Sequence, residues 1–120
     1  DIDGRYHRFV ANPSDLLPGT LDLLILRTLE LKPMHGVVIA DRIEQATEGV
    51  FVIGPGSLFP ALHRLADKGW IDGQWIGLPE SGRRVKQYTL TQAGQARLAE
   101  EKRNWKTVLT AMNLALAEEL

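Results

Sequence analysis

The chain has 120 residues, which is the size of one domain. Hydrophobic residues make up 44% of it and charged residues 24%, so the composition is that of a folded globular protein and excludes wholesale disorder. The sequence contains no cysteine, which excludes disulfides, thiol catalysis and cysteine-based zinc or iron–sulfur sites. A formal net charge of −1 excludes a uniformly basic coat for nucleic acid but is compatible with a local basic face.

The beginning of the chain has no regular hydrophobic period and ends in Asn12-Pro13-Ser14-Asp15, so we expect residues 1–15 to form a tail or a loosely docked arm. The longest uncharged stretch lies between Glu48 and Arg64 and is interrupted by prolines and glycines, so it is too short and too broken to span a bilayer. No signal peptide is recognisable. We therefore expect a cytoplasmic protein with no membrane partner.

Two helices are predicted next. The first starts at Pro18 and stops before Pro33, because the residue before a proline is pushed out of the helical region. Its apolar residues recur at the spacing of one helical face: Leu21, Leu24, Ile25 and Leu29. The second helix begins at Gly36 and is closed by Gly49.

A third helix follows a connector that contains Ile53-Gly54-Pro55. We predict Ser57 as its N-cap, Pro60 at its third position, where the missing N–H has no cost, and Gly69 as its stop. Its inward face is formed by Leu58, Leu62 and Leu65.

The pattern then changes to that of a β-hairpin. Residues 70–76 and 85–90 read as its two strands, joined by a loop from Gly77 to Arg84. Thr91 is predicted to cap a last helix that extends to about Glu118. The expected fold is mainly α with a small hairpin, an α+β arrangement of three helices, a hairpin and a long helix.

This order matches a winged helix-turn-helix domain over residues 16–90, followed by a long C-terminal helix over residues 91–120. Residues 57–88 carry five basic and three acidic side chains, whereas residues 37–48 carry one basic and three acidic side chains. In such a fold the third helix enters a major groove and the hairpin, or wing, contacts the neighbouring backbone or the minor groove. The basic wing therefore indicates a phosphate clamp, and an ordinary solvated turn is the alternative.

Catalysis gets no support from the sequence. The three histidines do not have the spacing of metal ligands, and neither a nucleophile elbow nor a Walker-type or dinucleotide-binding glycine loop is present. Gly54-Pro55-Gly56-Ser57 at a helix start could hold one phosphate, and an ordinary turn with a helix cap is the alternative. We expect no enzymatic activity, no cofactor and no metal.

Four segments in a fixed order carry a resemblance to a known family. They are His35-Gly36-Val37-Val38-Ile39-Ala40, Gly56-Ser57-Leu58-Phe59-Pro60-Ala61-Leu62-His63-Arg64-Leu65, Gly69-Trp70-Ile71, and Arg83-Arg84-Val85-Lys86-Gln87-Tyr88-Thr89-Leu90-Thr91-Gln92-Ala93-Gly94. Over about residues 16–118 the chain resembles the PadR family of bacterial transcriptional regulators. The resemblance implies a homodimeric winged-helix repressor of the short subfamily, bound to a palindromic double-stranded DNA operator and released by a small aromatic effector.

DNA contacts are then expected from the third helix and the wing. The candidate residues are Ser57, Phe59, His63, Arg64, Lys68, Arg83, Arg84 and Lys86. Ser57 and Phe59 lie nearest the groove, since the N-terminal part of a recognition helix meets the base edges, and Arg64 lies further along, within reach of a base or a phosphate. The wing cations supply affinity that does not depend on sequence.

The last helix is predicted to be the dimer interface. From Thr91 to Glu118 it would be about 42 Å long, so it must project beyond a small body. Its apolar residues are spaced nearly as in a heptad repeat: Leu98, Trp105, Val108, Leu109, Met112 and Leu116. The effector is expected near Trp105, between two subunits. Packing of this stripe onto the first helix of its own subunit is the alternative, as is a role of Trp105 in interface packing alone.

The sequence also departs from the family pattern. Val37, Phe59 and Gln87 stand where the family usually has tyrosine, whose hydroxyl typically bonds a DNA phosphate, and Ile53-Gly54-Pro55 replaces an acidic or polar run. We therefore expect DNA binding that is weaker or differently specified than in a typical member. A winged-helix module for protein–protein interaction, with reduced or no DNA binding, is the alternative function.

Overall fold

The computed structural model describes residues 19–117 as four helices and three strands. In chain order they are α1 (Thr20–Leu31), β1 (Met34–His35), α2 (Gly36–Ala46), α3 (Pro55–Asp67), β2 (Ile71–Gly77), β3 (Arg84–Leu90) and α4 (Gln92–Leu116). The predicted α+β fold, with a winged helix-turn-helix and a long C-terminal helix, is confirmed. The predicted tail over residues 1–15 lies outside the described residues.

The sheet has one strand more than predicted. Its antiparallel order is β1-β3-β2, and the predicted hairpin forms the β2–β3 pair. β1 pairs Met34 with Tyr88 and His35 with Gln87. A two-residue strand is too short to produce a hydrophobic period, so β1 could not be predicted from the sequence. It ties the beginning of α2 to the inner strand of the wing.

One hydrophobic core joins α1, α2, α3, the sheet and the first turns of α4. Its largest fully buried side chains are Ile25, Leu26, Ile39, Ile43, Leu62, Leu65, Ile71 and Leu98. The prediction that Leu98 belongs to the dimer interface needs correction. Its side chain is only 1% exposed within its own chain, so it has no surface left for contact with a partner. It anchors α4 to the winged domain.

The start of α3 also differs from the prediction. Gly54, not Ser57, is the N-cap, and Pro55 occupies the first helical position, where its fixed φ favours the helix. The carbonyl of Gly54 accepts hydrogen bonds from the N–H groups of Ser57 and Leu58, at 3.1 and 2.9 Å. Pro60 therefore lies in the second turn, and its missing N–H leaves the carbonyl four residues earlier without a helical donor.

Thr91 caps α4, as predicted, and connects it to the end of α3. Its hydroxyl accepts a hydrogen bond from the N–H of Gly94 at 3.0 Å and donates one to the carbonyl of Gly69 at 2.6 Å. Its N–H donates to the carbonyl of Trp70 at 3.1 Å. These bonds fix the direction in which the long helix leaves the winged domain.

The first half of α4 packs against α1 and the second half extends away from the body. Lys102 Nζ lies 3.2 Å from Glu30 Oε1 on α1, whereas every residue from Lys106 to the end of the helix is exposed. The 25 residues of α4 span about 37 Å, which explains a molecular extent of 59 Å in the longest direction. Within residues 19–117, no helix is long and apolar enough to cross a membrane.

Candidate DNA-binding surface

A groove of about 340 Å³ opens between the N-terminus of α2, the exposed side of α3 and the β2–β3 hairpin. We call it the wing groove. Five of the predicted DNA-binding residues line it: Phe59, His63, Arg83, Arg84 and Lys86. The fold therefore brings residues of α3 and of the hairpin, which are at least 20 positions apart in the sequence, onto one surface. The remaining lining residues are His35, Gly36, Val37, Trp75, Val85 and Tyr88.

α3 presents its two groove residues by burying its other face. Leu58, Leu62 and Leu65 pack into the core, which leaves Phe59 and His63, four residues apart, on the solvent side. The helix amphipathicity that predicted the core face thus also determines which side chains meet a ligand.

The wing supplies the charge of the groove. Arg83, Arg84 and Lys86 line it, and no carboxylate does so among residues 19–117. None of the ion pairs in this part of the chain involves these three cations. A concave surface with one sign of charge concentrates a polyanion by electrostatic attraction.

Trp75 lies close to two of the wing cations, Arg84 and Lys86. The Arg84 guanidinium carbon is 5.5 Å and Lys86 Nζ is 5.9 Å from the centre of its ring, both within cation–π range. The sequence pattern predicts Trp75 on a strand and indicates no role for it. The strand register, which pairs Trp75 with Lys86, was the missing information.

The floor of the groove is apolar where the helices meet. Val37 is 60% exposed and Phe59 42% exposed. A Cβ at Gly36 would come within 3.0 Å of Phe59 Cε1, so this glycine allows the ring to lie against α2. Tyr88 closes the floor, and burial raises the pKa of its phenol from the usual value of 10.0.

Three other predicted DNA contacts do not line the groove. Arg64 forms an ion pair with Asp22 of α1. The ammonium of Lys68 lies 4.8 Å from the ring centre of Trp70, at the junction with α4. Ser57 is half-buried in the first turn of α3. Their contacts with DNA stay predictions, and any contact by Arg64 would compete with Asp22.

The predicted dimer surface is the exposed apolar side of α4. Val108, Leu109, Met112 and Leu116 are between 37% and 77% exposed, and Trp105 is half-buried. Leu114, which the heptad spacing did not include, is 72% exposed on another side of the helix. No covering element for these side chains occurs within residues 19–117.

No group of His, Asp and Glu side chains suited to holding a metal ion is found in the part of the chain that the structure describes. Three of the lining residues of the wing groove are arginine or lysine, and three are phenylalanine, tryptophan or tyrosine. This chemistry suits binding to phosphates and bases rather than covalent catalysis.

Comparisons with known proteins agree with this geometry. The model of the transcriptional regulator PadR-like family matches residues 25–100. An uncharacterised protein of Lysinibacillus sphaericus is 32% identical over 101 residues, which cover 84% of this chain and 92% of that protein. The family match runs from within α1 to the first third of α4 and therefore includes every residue that lines the wing groove.

Solved structures are similar as well. A PadR family transcription regulator from Clostridium difficile superposes with a TM-score of 0.71 at 32% identity, over 82% of this chain and 99% of that one. A PadR-like transcriptional regulator from Bacillus cereus superposes with a TM-score of 0.72 at 26% identity, over 84% and 95% of the two chains. The chain therefore belongs to the PadR-like family of transcriptional regulators, which are DNA-binding regulators rather than enzymes.

Proposed function

We propose that this regulator is a homodimeric repressor that binds a palindromic operator through α3 and the wing. The observation that carries the proposal is the wing groove, where three cations and no carboxylate of the described residues face the exposed side of α3. Helix-turn-helix proteins insert this helix into the major groove of DNA. The wing then meets phosphates on the adjacent backbone, where positive charge is required.

Sequence preference comes from α3 and general affinity from the wing. Phe59 lies in the N-terminal half of α3 and is exposed, which supports a proposed contact of its ring with the methyl group of a thymine. His63 lies one turn further along the same face and can bond a base edge or a phosphate. Neither Phe59 nor Val37 has a hydroxyl to bond a phosphate, which makes the wing cations the main source of affinity.

Dimerisation through α4 is supported by its exposed apolar side. Isolated apolar side chains are common on surfaces, but a row of them along a projecting helix is covered by a partner in most proteins. A two-fold axis at this helix would place two copies of α3 on one side of the duplex. Two half-sites about one helical turn apart, or ~34–36 Å, would then form an inverted repeat.

Release by a small aromatic effector is proposed at Trp105. This side chain is half-buried where α4 leaves the body, beside the row of exposed apolar residues. A planar ligand that stacks on it between two subunits would change the angle between their α4 helices. Because α4 is fixed to α3 through Thr91, that change would alter the half-site spacing and weaken operator binding.

The test of DNA recognition is selection of bound duplexes from a random library with the full chain. We expect enrichment of an inverted repeat with thymines in each half-site, and weaker binding when deoxyuridine, which lacks only the methyl group, replaces thymine. The Phe59→Ala variant should lose this difference while it still binds DNA. Failure to enrich any sequence would contradict the repressor proposal.

The effector test uses planar phenolic compounds and tryptophan fluorescence. Trp70 and Trp75 also emit, so the Trp105→Phe variant serves as the control. We expect the wild type to respond and the variant to show no response. A response that survives in the variant would place the ligand elsewhere.

A protein–protein interaction module is the second candidate function. The exposed apolar residues Val37, Phe59 and Trp75 favour it, since they would also suit a protein partner. Salt dependence separates the two candidates, because a DNA complex weakens steeply as the salt concentration rises. The slope of log K against log salt is about −0.9 for each phosphate that the protein neutralises. DNA binding without this dependence would favour the interaction module.

A further inference from the structure

We infer that Trp75 is a positioning residue of the wing, which holds the side chains of Arg84 and Lys86 in the orientation that DNA phosphates require. The inference rests on the proposed function, because it assigns a partner to the wing cations. Trp75 is 59% exposed although it is the largest side chain of β2. A large aromatic ring in that position is not explained by the core, which it does not join.

The strand register brings the ring beside both cations. Trp75 pairs directly with Lys86 across the hairpin, and Gly77 pairs with Arg84. Since side chains alternate along a strand, these four residues lie on one side of the sheet. Arg84 leans toward the ring from the neighbouring pair, where a Cβ at Gly77 would meet nothing within 4 Å, and its guanidinium carbon lies 5.5 Å from the ring centre.

A glycine of β2 lies against the Lys86 side chain. Gly73 pairs with Tyr88, two positions before Trp75 on the same side of β2. A Cβ at Gly73 would lie 2.8 Å from Lys86 Cε and 3.0 Å from Tyr88 Cε1. Glycine at this position leaves room for the Lys86 stem near Trp75, whose ring centre is 5.9 Å from Lys86 Nζ, and an added Cβ would require the flexible lysine stem to shift.

This arrangement reduces the entropic loss on binding. Free arginine and lysine side chains sample many rotamers, and fixing one of them in an interface reduces affinity about twofold to tenfold. A ring that already restricts two of them removes part of this loss, while their outer sides stay open to phosphate. The charge that reaches the DNA is the same with or without the ring, so the salt dependence should not change when the ring is removed.

The first experiment needs no DNA. In an NMR spectrum of the full chain, the side-chain methylene protons of Lys86 and Arg84 should be shifted upfield by the Trp75 ring, and the Trp75→Leu variant should return them to ordinary values. Unshifted methylene protons in the wild type would overturn the inference and leave the proposed DNA binding untouched.

The second experiment measures anisotropy of a fluorescein-labelled random-sequence duplex over a range of KCl concentrations. Trp75→Leu should weaken binding about fivefold or more with an unchanged salt slope, and Trp75→Phe should weaken it less, because it keeps a ring. Arg84→Ala should instead weaken binding and make the slope of log K against log salt shallower by about 0.9. Wild-type affinity in Trp75→Leu, or a slope reduced as in Arg84→Ala, would overturn the inference.

A variant that keeps Trp75 guards against a folding defect. Gly73→Ala should push Lys86 off the ring, reverse its NMR shift and weaken DNA binding, whereas Gly77→Ala, whose Cβ meets nothing within 4 Å, should change neither. Equal behaviour of the two variants would contradict the proposed arrangement. If the wild type binds DNA without salt dependence, the proposed function fails and this inference fails with it. Upfield shifts of Lys86 and Arg84 would in that case show only that both side chains contact the Trp75 ring.

Discussion

Gly94 is the position where one added methyl group should disturb the molecule most. It is buried in the first turn of α4, and a Cβ there would lie 2.0 Å from the carbonyl oxygen of Trp70 and 2.6 Å from Leu90 Cδ1. Backbone atoms cannot rotate away as side chains do. The same carbonyl of Trp70 is held by a hydrogen bond from Thr91, so relief of the contact would require α4 to shift as a whole.

The expected effect of Gly94→Ala combines two terms. Overpacking of a well-packed site destabilises by about 1–3 kcal/mol, and an approach of 2.0 Å to backbone belongs at or above the upper end of this range. The higher helix propensity of alanine offsets about 1 kcal/mol. We expect a net loss of about 2 kcal/mol or more in the free energy of unfolding. Gly56→Ala, in the first turn of α3 with nothing within 4 Å of the Cβ, should instead stabilise by about 0.4–1 kcal/mol.

The assay is urea unfolding followed by circular dichroism, with both variants and the wild type at one protein concentration, since the stability of a dimer depends on concentration. The two substitutions add the same methyl group in the first turn of a helix, so their difference isolates the available space. Equal stabilities of Gly94→Ala and Gly56→Ala would refute the packing argument for the junction between α3 and α4.

Three further predictions test other parts of the molecule. Asp22→Asn should free Arg64 and raise the affinity for the selected operator a few-fold, and an unchanged affinity would remove Arg64 from the DNA contacts. Trp105→Asp combined with Leu109→Asp should shift sedimentation to the monomer, and an unchanged dimer would refute α4 as the interface. Burial raises the pKa of Tyr88, so its contribution to stability is present below pH 10.0 and is lost as the pH rises through the raised value; urea titrations should therefore show a smaller alkaline loss for Tyr88→Phe than for the wild type.

The helices and the hairpin could be predicted because their signals are local. Hydrophobic spacing, prolines, glycines and the Thr91 cap lie within a few residues of the structure that they determine. The start of α3 was misplaced because Gly54-Pro55 and Ser57 are both acceptable helix starts, and the choice depends on how the turn after α2 packs. The same limit applies to β1, whose two residues form a strand only because β3 lies beside them.

The wing groove was predictable in part. Basic residues in a wing are visible in the sequence, and five of the eight predicted contacts meet in the groove. The ion pair of Arg64 with Asp22 and the burial of Leu98 were not visible, because both depend on contacts between residues far apart in the chain. Trp75 was missed for the same reason, since its role follows from the strand register rather than from its neighbours in sequence.

The most direct test of DNA recognition by the wing groove is the salt dependence of duplex binding by Arg83→Ala combined with Arg84→Ala. A control that removes the same charge from exposed residues of α4 is Arg103→Ala combined with Lys106→Ala. The wing variant should bind selected and random duplexes more weakly, with a slope of log K against log salt that is shallower by about 0.9 for each lost phosphate contact, and the control should retain the wild-type slope. Identical slopes for the wild type and the wing variant would contradict the assignment of this groove to DNA.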